Sequence, residues 1–279
     1  MIHDLRVTVL VENTARRAGL LSEHGLAFWI ETGASRVLFD TGQGLTLRGN
    51  AARLQIDLAA ADAIALSHGH YDHTGGLMQS LEVNRHAQLF LHPQALVSRY
   101  SGRSGQAREI GLAIETQQAL RQQPQRIIWT TQPTEIAPGL FATGEIPRHT
   151  DFEDTGGDFF LDAACCDRDP ILDDQALYAD TDDGVVVVLG CAHAGMVNTL
   201  DYVRTLTQRP IRAVVGGAHL VNASQHRLTR TIDSLREMKI QMIAPAHCTG
   251  PRATAALWTA FPDQIADGSV GTQWFFEAR

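Results

Sequence analysis

The chain has 279 residues, of which 44% are hydrophobic and 19% charged, so it can bury a substantial core and is too apolar for wholesale disorder. Its formal net charge of −8 and its single lysine, Lys239, offer no basic stripe for a phosphate backbone, which argues against duplex nucleic acid as a partner. The longest apolar run, at 185–189, is far shorter than the roughly 20 residues of a membrane helix, and no basic and apolar export signal opens the chain. We therefore expect a globular, cytoplasmic protein that does not cross a membrane.

Hydrophobic periodicity predicts an α/β protein. Alternating residues near the start predict an antiparallel meander of three strands, at 6–12, 26–31 and 36–40. Short apolar runs predict buried strands at 63–66, 185–189, 211–215 and 241–244. Two one-sided apolar stripes predict core-facing helices, one with Leu200, Val203 and Leu206 and one with Leu228, Ile232, Leu235 and Met238.

The chain shows no repeat and no linker between compositionally distinct halves, which predicts one domain over residues 1–279. The stretch at about 92–150 is expected to be a loop-and-helix insertion that forms part of a pocket. Four cysteines in a chain of this length do not make a disulfide framework, so reduced thiols are expected.

Histidine is the unusual residue type, with 12 copies, and the sharpest motif follows the strand predicted at 63–66. It reads Ser67-His68-Gly69-His70-Tyr71-Asp72-His73-Thr74-Gly75-Gly76. On an extended backbone His68 and His70 share a face, so both rings can reach one metal ion, while Asp72 and His73 can face a second ion from the following turn. A lone histidine on an apolar strand is most often structural, but four ligand-type side chains at this spacing favour a metal site. Imidazole with carboxylate suits zinc, iron or manganese.

The motif, preceded by Leu38-Phe39-Asp40-Thr41-Gly42, resembles the metallo-β-lactamase fold superfamily of metal-dependent hydrolases. Further segments are similar to a subgroup named after an archaeal dihydropterin ribofuranosylaminobenzene phosphate synthase. They are Gly144-Glu145-Ile146-Pro147-Arg148, Asp173-Asp174-Gln175-Ala176-Leu177, Gly190-Cys191-Ala192-His193-Ala194-Gly195, Gly216-Gly217-Ala218-His219-Leu220 and His247-Cys248-Thr249-Gly250. The resemblance spans nearly the whole chain and implies a four-layer αββα sandwich, with two mixed β-sheets, outer helices and a dinuclear site at one edge.

The resemblance also implies two ligand sets for two divalent ions, most simply zinc, with manganese and iron as alternatives. The first ion would take His68, His70 and a later histidine, for which we choose His193. The second would take Asp72, His73 and a still later histidine, for which we choose His247. Both chosen residues follow a predicted strand.

The sequence departs from the superfamily pattern at the group that usually bridges the two ions. No acidic residue follows a buried strand between His193 and His247, because Asp201 and Asp233 lie inside predicted helices. Cys191, His219 or water alone are left as replacements. Of these we expect His219 to lie near the metals, and Cys191 to be a buried small apolar residue.

The expected activity is hydrolysis of a small anionic substrate, such as a phosphodiester, cyclic phosphate, ester or lactone of pterin or nucleotide type, by a metal-activated water. Asp72 would be catalytic as well as a ligand, since it can orient that water. One alternative is a metal-dependent synthase that joins a pterin to a ribosyl-aminobenzene phosphate, as the subgroup's name implies. Another is a non-catalytic or redox metal-binding protein. The sequence is compatible with a homo-oligomer.

Two residues are candidates for substrate binding. Tyr71 stands between metal ligands and should project near the site, and Arg148 could pair with an anion. The arginines at 99, 103 and 108, near the Gly102 to Gly105 turn, could add an anion-binding rim or could form a solvated loop. The adjacent Asp173 and Asp174 could support a ligand histidine or face solvent.

Overall fold

The computed structural model describes residues 1–102 and 106–277. Its strands are β1 (Asp4–Val11), β2 (Ala27–Glu31), β3 (Arg36–Phe39), β4 (Ala63–Ala65), β5 (Gln88–Leu91), β6 (Tyr100–Ser101), β7 (Arg108–Glu109), β8 (Ile127–Trp129), β9 (Thr134–Ala137), β10 (Leu140–Ala142), β11 (Phe159–Phe160), β12 (Leu177–Thr181), β13 (Gly184–Leu189), β14 (Ile211–Gly217), β15 (Met242–Ala246) and β16 (Gln273–Glu277).

The α-helices of the described residues alternate with these strands. They are α1 (Leu47–Arg53), α2 (Tyr71–Thr74), α3 (Leu77–Val83), α4 (Ile114–Arg121), α5 (Met196–Thr207), α6 (Gln225–Met238) and α7 (Pro251–Ala260). Shorter 3-10 turns lie at Leu58–Ala60, Pro93–Leu96, Pro124–Arg126 and His247–Thr249.

Two large mixed sheets form the centre of the fold. One sheet has the strand order β16-β1-β2-β3-β4-β5-β8 and the other the order β15-β14-β13-β12-β10-β9. Apolar side chains of both sheets pack against each other between the layers, among them Val7 and Phe28 from the first sheet and Val186 and Val215 from the second. Burying this apolar area is the main favourable contribution to folding.

Helices cover the outer faces of both sheets. Leu47, Leu77 and Leu120 of α1, α3 and α4 belong to the apolar cluster on the first sheet. Leu200 and Leu235, on the two helices predicted from their apolar stripes, pack on the second sheet together with α7. The predicted αββα sandwich and its opening antiparallel meander are therefore confirmed.

The stretch at 92–150 differs from the expected insertion. Its strand β8 pairs with β5 in the first sheet, and its strands β9 and β10 join the second sheet. These strands are only three or four residues long and partly exposed, so they have little of the apolar alternation that reveals a strand. Much of this stretch therefore belongs to the sandwich, and of its described residues Ser101, Arg108 and Ile110 line the cavity.

Strand direction places the chemistry-bearing residues together. Strands β3 and β4 run parallel, and so do β13, β14 and β15. Because the carboxyl ends of parallel strands meet at one edge of a sheet, the residues that follow them converge. Those residues include Asp40, His68, His193, His219 and His247.

Candidate metal centre

Three buried imidazoles form the first donor group. His68, His70 and His193 offer ring nitrogens that all lie within 4.8 Å of one another. His68 Nε2 and His70 Nδ1 are 2.9 Å apart, and the ring of His193 lies 4.8 Å from that of His68 and 4.9 Å from that of His70. Burial holds the pKa of each imidazole well below its ordinary value, so all three are neutral, the form that binds a metal ion.

The backbone around this group is held by residues distant in sequence. The amide of Gly69, between the two histidines, donates to Asp173 Oδ2 at 2.7 Å, and Asp173 pairs with the buried Arg99. A Cβ at Gly69 would lie 2.4 Å from the carbonyl oxygen of Ala95, so only glycine fits there. His193 Nδ1 donates to the carbonyl oxygen of Thr155 at 2.7 Å, which leaves its Nε2 for the donor group.

A second donor group surrounds Asp72. Its Oδ2 lies 3.1 Å from His24 Nε2 and 3.4 Å from His247 Nε2. Burial raises the pKa of Asp72, but the hydrogen bonds from His24 and His247 outweigh burial and hold that pKa well below its ordinary value. His247 is oriented in turn by a 2.9 Å contact between its Nδ1 and Asn13 Oδ1. The carboxylate is therefore ionised and ready to bind a cation.

His73 and Cys191 lie between the two groups. His73 Nδ1 is 2.7 Å from Asp40 Oδ2, and its Nε2 is 3.1 Å from Cys191 Sγ. Burial lowers the pKa of His73, but the charge and the hydrogen bond of Asp40 raise it to about 9. Burial raises the pKa of the Cys191 thiol well above its ordinary value. The sulfur of Cys191 lies within 4.8 Å of ring nitrogens of His68 and His73. It also forms a separate group of donor atoms within that distance together with His247 and Cys248.

These donors fit divalent metal ions. His70 Nε2 and His193 Nε2 are buried without a hydrogen-bond partner among residues 1–102 and 106–277. A buried imidazole nitrogen without a partner destabilises the folded protein unless a hydrogen-bond partner or a metal ion binds to it. Neutral imidazoles and ionised carboxylates are donors that zinc and related transition metals prefer, and a cysteine would bind such an ion as its thiolate.

A cavity of about 1080 Å³ opens over both groups. His70, Asp72, His193 and His247 lie in its floor, and its walls carry residues from several loops and helices. A space of this volume accommodates a small molecule with several rings or groups. The arrangement can therefore bring a small substrate into contact with bound cations.

A family model described as the metallo-beta-lactamase superfamily matches residues 23–247. The chain belongs to the metallo-beta-lactamase superfamily. The resemblance expected from the histidine motif is confirmed, and the fold is that of the superfamily's metal-dependent hydrolases.

Two proteins of Methanocaldococcus jannaschii are similar to the superfamily member described here over most of its length. One, an uncharacterized protein, is 32% identical over 253 residues, which are 90% of this chain and 93% of the relative. The other is 30% identical over 280 residues, 95% of this chain and 94% of the relative. It is named 7,8-dihydropterin-6-methyl-4-(beta-D-ribofuranosyl)-aminobenzene-5'-phosphate synthase.

A solved structure of the superfamily is also similar. The crystal structure of a metal-dependent hydrolase of the beta-lactamase superfamily has a TM-score of 0.83 and 29% sequence identity, and the alignment covers 98% of this chain and 100% of that chain.

The structure brings most of the predicted site residues of this superfamily member together. His68, His70 and His193 form one donor group, and Asp72 and His247 belong to another. His73 lies between these groups, 3.1 Å from the sulfur of Cys191. Cys191 was expected to be a buried small apolar residue, and it is buried but stands among the donor atoms.

His219 lies beside the donor groups rather than within them. Its ring is 4.4 Å from that of His193, but among the described residues it belongs to no group of donor atoms within 4.8 Å. Its Nδ1 is buried against Gly156, where an added Cβ would lie 2.1 Å away. Burial lowers the pKa of His219 to about 4. The geometry therefore gives His219 a place in the cavity wall.

The two predicted substrate residues separate. Tyr71 lines the cavity and has the guanidinium of Arg108 over its ring at 4.9 Å. Arg148 is exposed, does not line the cavity, and donates to the carbonyl oxygen of Ile171 at 2.9 Å.

The three arginines of the predicted basic rim do not lie together. Arg99 is fully buried and paired with Asp169 and Asp173, Arg108 lines the cavity, and Arg103 lies outside the described residues, as do Ser104 and Gly105. Asp173 supports the histidine loop through Gly69, and Asp174 Oδ2 accepts from the amide of Ala194 at 2.7 Å, next to His193. Both aspartates therefore support the site rather than face solvent.

Sequence reasoning missed three residues of the site. His24 contacts Asp72 from the loop after β1, Asp40 holds His73, and Arg227 lines the cavity from α6. His24 and Arg227 stand alone in their segments with no motif spacing. Asp40 stood inside a segment that carried the resemblance, and its place after a buried strand was the available signal.

Within the described residues, no helix is both long enough and apolar enough to pass through a membrane.

Proposed function

We propose that the protein is a metal-dependent hydrolase of a small anionic substrate, such as a phosphodiester, cyclic phosphate, ester or lactone. The observation that carries the proposal is the convergence of imidazole, carboxylate and cysteine donors at one cavity, two of them, His70 and His193, with a buried ring nitrogen that has no partner among the described residues. Membership of a superfamily of metal-dependent hydrolases supports it.

Two divalent cations, zinc by preference, are proposed for the two ligand sets that the superfamily pattern implies. In the structure Asp72 shares its group of donor atoms with His24 and His247, and His73 shares one with His68 and Cys191. His68, His70 and His193 would hold one cation, and Asp72, His73 and His247 the other. Bound cations would lower the pKa of a water molecule and polarise the scissile carbonyl or phosphoryl group. His24 lies within reach of the second set, and its 3.1 Å contact with Asp72 fixes that carboxylate.

Cys191 is the residue that we propose as a further ligand in place of the missing acidic residue. Its sulfur shares one donor group with His68, from the first set, and with His73, from the second. The same sulfur shares another group with His247. His219 has no such position between the sets, so Cys191 is the better candidate for a further ligand.

The chain's own residues would position the reacting groups. Asp72, ionised and fixed by His24 and His247, would accept a hydrogen bond from the attacking water at a carboxylate oxygen and orient it. Tyr71, at the cavity wall, would contact the substrate beside Asp72. The depth of the donor groups, whose histidines are nearly all buried, would limit access of bulk water.

The test is turnover of a chromogenic phosphodiester and of a lactone by zinc-loaded protein with water as the only other reactant. His68→Ala and Asp72→Ala are expected to reduce turnover to the background rate, because each removes a proposed ligand. His86→Ala changes an exposed histidine outside the cavity and should retain full activity. Retained turnover in both site variants would reject the metal mechanism.

A synthase is the second candidate, because one relative with 30% identity over 95% of this chain is named as one. That activity would join a pterin to a ribosyl-aminobenzene phosphate within the same cavity. It predicts product only when both compounds are supplied, and no turnover of the chromogenic substrates with water alone. The two assays therefore separate the candidates.

A further inference from the structure

A buried arginine forms part of the cavity wall. Arg227 lies in the first turn of α6, is only 2% exposed, and lines the cavity together with Asp154, Gly156 and His219. Its backbone amide donates to the side chain of the N-cap residue Ser224 at 3.1 Å, which fixes the start of the helix. The side chain therefore projects from a rigid element.

The guanidinium of Arg227 is only partly paired. Its Nη1 donates to Asp154, whose own side chain is 73% exposed. Its Nε and Nη2 are buried and have no hydrogen-bond partner in the part of the chain that the structure describes. These two atoms form one edge of the planar group, the edge that binds two oxygens of a phosphate or carboxylate side by side. A buried cation with this edge unpaired is costly, and an anionic ligand would offset that cost.

Arg227 stands near the first donor group. Asp154 precedes Thr155, whose carbonyl oxygen accepts from His193 Nδ1 at 2.7 Å. His219, which lies in the same wall, has its ring 4.4 Å from that of His193. An anionic group at Arg227 would therefore belong to a molecule that also reaches the proposed cations.

We infer that Arg227 binds an anionic substituent of the substrate, a phosphate or carboxylate, through its Nε and Nη2 edge. The inference rests on the proposed function for the identity of the cavity as a substrate site, and it adds the residue that selects the substrate's charge. The other arginines that line the cavity, Arg108 and Arg168, are exposed to solvent. Arg108 is exposed over Tyr71, and Arg168 is 73% exposed and pairs with Asp158.

The direct test is calorimetric titration of zinc-loaded protein with inorganic phosphate and, separately, with acetate. Arg227→Gln should weaken phosphate binding by about tenfold or more, because it removes a charge-assisted pair of hydrogen bonds. Arg227→Lys, which keeps the charge but not the planar edge, should fall between wild type and Arg227→Gln. Zinc content should be unchanged in both, since Arg227 belongs to no donor group.

Two further variants control for misfolding. Arg230→Gln removes an arginine one turn along the same helix, which pairs with Asp151 outside the cavity, and it should bind phosphate as wild type does. Asp154→Asn removes the carboxylate that competes for Arg227 and should tighten phosphate binding. Loss in one variant and gain in the other is a pattern that general destabilisation does not produce.

The inference would be overturned if Arg227→Gln bound phosphate as tightly as wild type does and also bound acetate as tightly as wild type does. Arg227-dependent binding of acetate but not phosphate would support the site and identify carboxylate as the anion. Because the titration needs no turnover, it separates the two proposals: anion binding that depends on Arg227 can be found in a protein that hydrolyses neither chromogenic substrate.

Should hydrolysis be found, kinetics add a second test. Arg227→Gln is expected to raise KM for the phosphodiester by about tenfold with a smaller change in kcat, and to leave KM for an uncharged lactone as it is. A uniform fall in kcat for both substrates would contradict a role in charge selection.

Discussion

At the scale of single residues, Cys191 has the surroundings of a ligand. Its sulfur is 3.1 Å from His73 Nε2 and shares donor groups with ligands of both proposed sets. A thiolate in contact with a transition metal is a strong, soft donor. As a ligand, Cys191 would supply sulfur where the superfamily usually has a carboxylate, and a sulfur ligand would favour zinc over manganese.

Cobalt substitution tests this ligand spectroscopically. We expect cobalt-loaded wild type to show thiolate-to-metal charge-transfer absorption in the near ultraviolet, and Cys191→Ser to lose it because a hydroxyl group gives no such band. Cys166→Ser, at an exposed free cysteine, should keep the band. A band that survives in Cys191→Ser, or that wild type never shows, would contradict the assignment of Cys191 as a ligand.

Some residues of the site could be predicted from the sequence and others could not. His68, His70, Asp72 and His73 lie so close in the chain that their spacing alone brings them together, whatever the rest of the fold does. Arg148 had no such constraint, and its guanidinium binds a carbonyl oxygen away from the cavity. Arg227 enters the site only because α6 packs beside the loop that holds Asp154, which no local pattern reveals.

At the scale of elements, helix α5 begins directly after the loop that holds His193. Gly195, its N-cap residue, provides no side-chain cap, and the carboxylate of Glu153 instead accepts from the amides of Val197 and Asn198, both at 2.9 Å. A Cβ at Gly195 would lie 2.2 Å from Glu153 Oε2, so glycine is required for this approach. Glu153 thus caps the helix from a distant loop.

Removing that cap should destabilise the protein. Glu153→Ala is expected to lower the free energy of unfolding by about 1–2 kcal/mol, because two helix amides lose their acceptor. Urea denaturation measures the change. The exposed Glu237 on α6 offers the matched control, and Glu237→Ala should change stability by less than about 0.5 kcal/mol. Equal stability of wild type and Glu153→Ala would show that Glu153 does not cap α5.

Elements with strong periodicity could be predicted and short ones could not. Strands β13 and β14 are buried along nearly their whole length, and α5 and α6 have clear apolar stripes, so their patterns are evident in the sequence. Strands β8, β9 and β10 are short and partly exposed, and pairing with neighbouring strands determines them rather than their own residues.

At the scale of the whole molecule, the αββα sandwich brings the carboxyl ends of five strands to one edge. The donors come from positions as far apart as His24 and His247, and the cavity over them is lined by Arg108, Arg168 and Arg227 although the net charge of the chain is −8. Three aspartates, Asp72, Asp154 and Asp158, line the same cavity, so the proposed cations themselves would supply most of the attraction for an anionic molecule. The sandwich follows from the order of strands and helices, whereas the composition of the cavity wall follows from tertiary packing.

The central claim, that the chain builds a two-metal site, is tested most directly by elemental analysis. Protein incubated with zinc and then desalted should contain two equivalents per chain. His193→Ala should fall to about one equivalent, because it removes a proposed ligand of the first cation. His219→Ala, which changes the neighbouring ring outside the donor groups, should keep both. One equivalent or none in wild type, or an equal loss in His219→Ala, would contradict the proposed ligand sets.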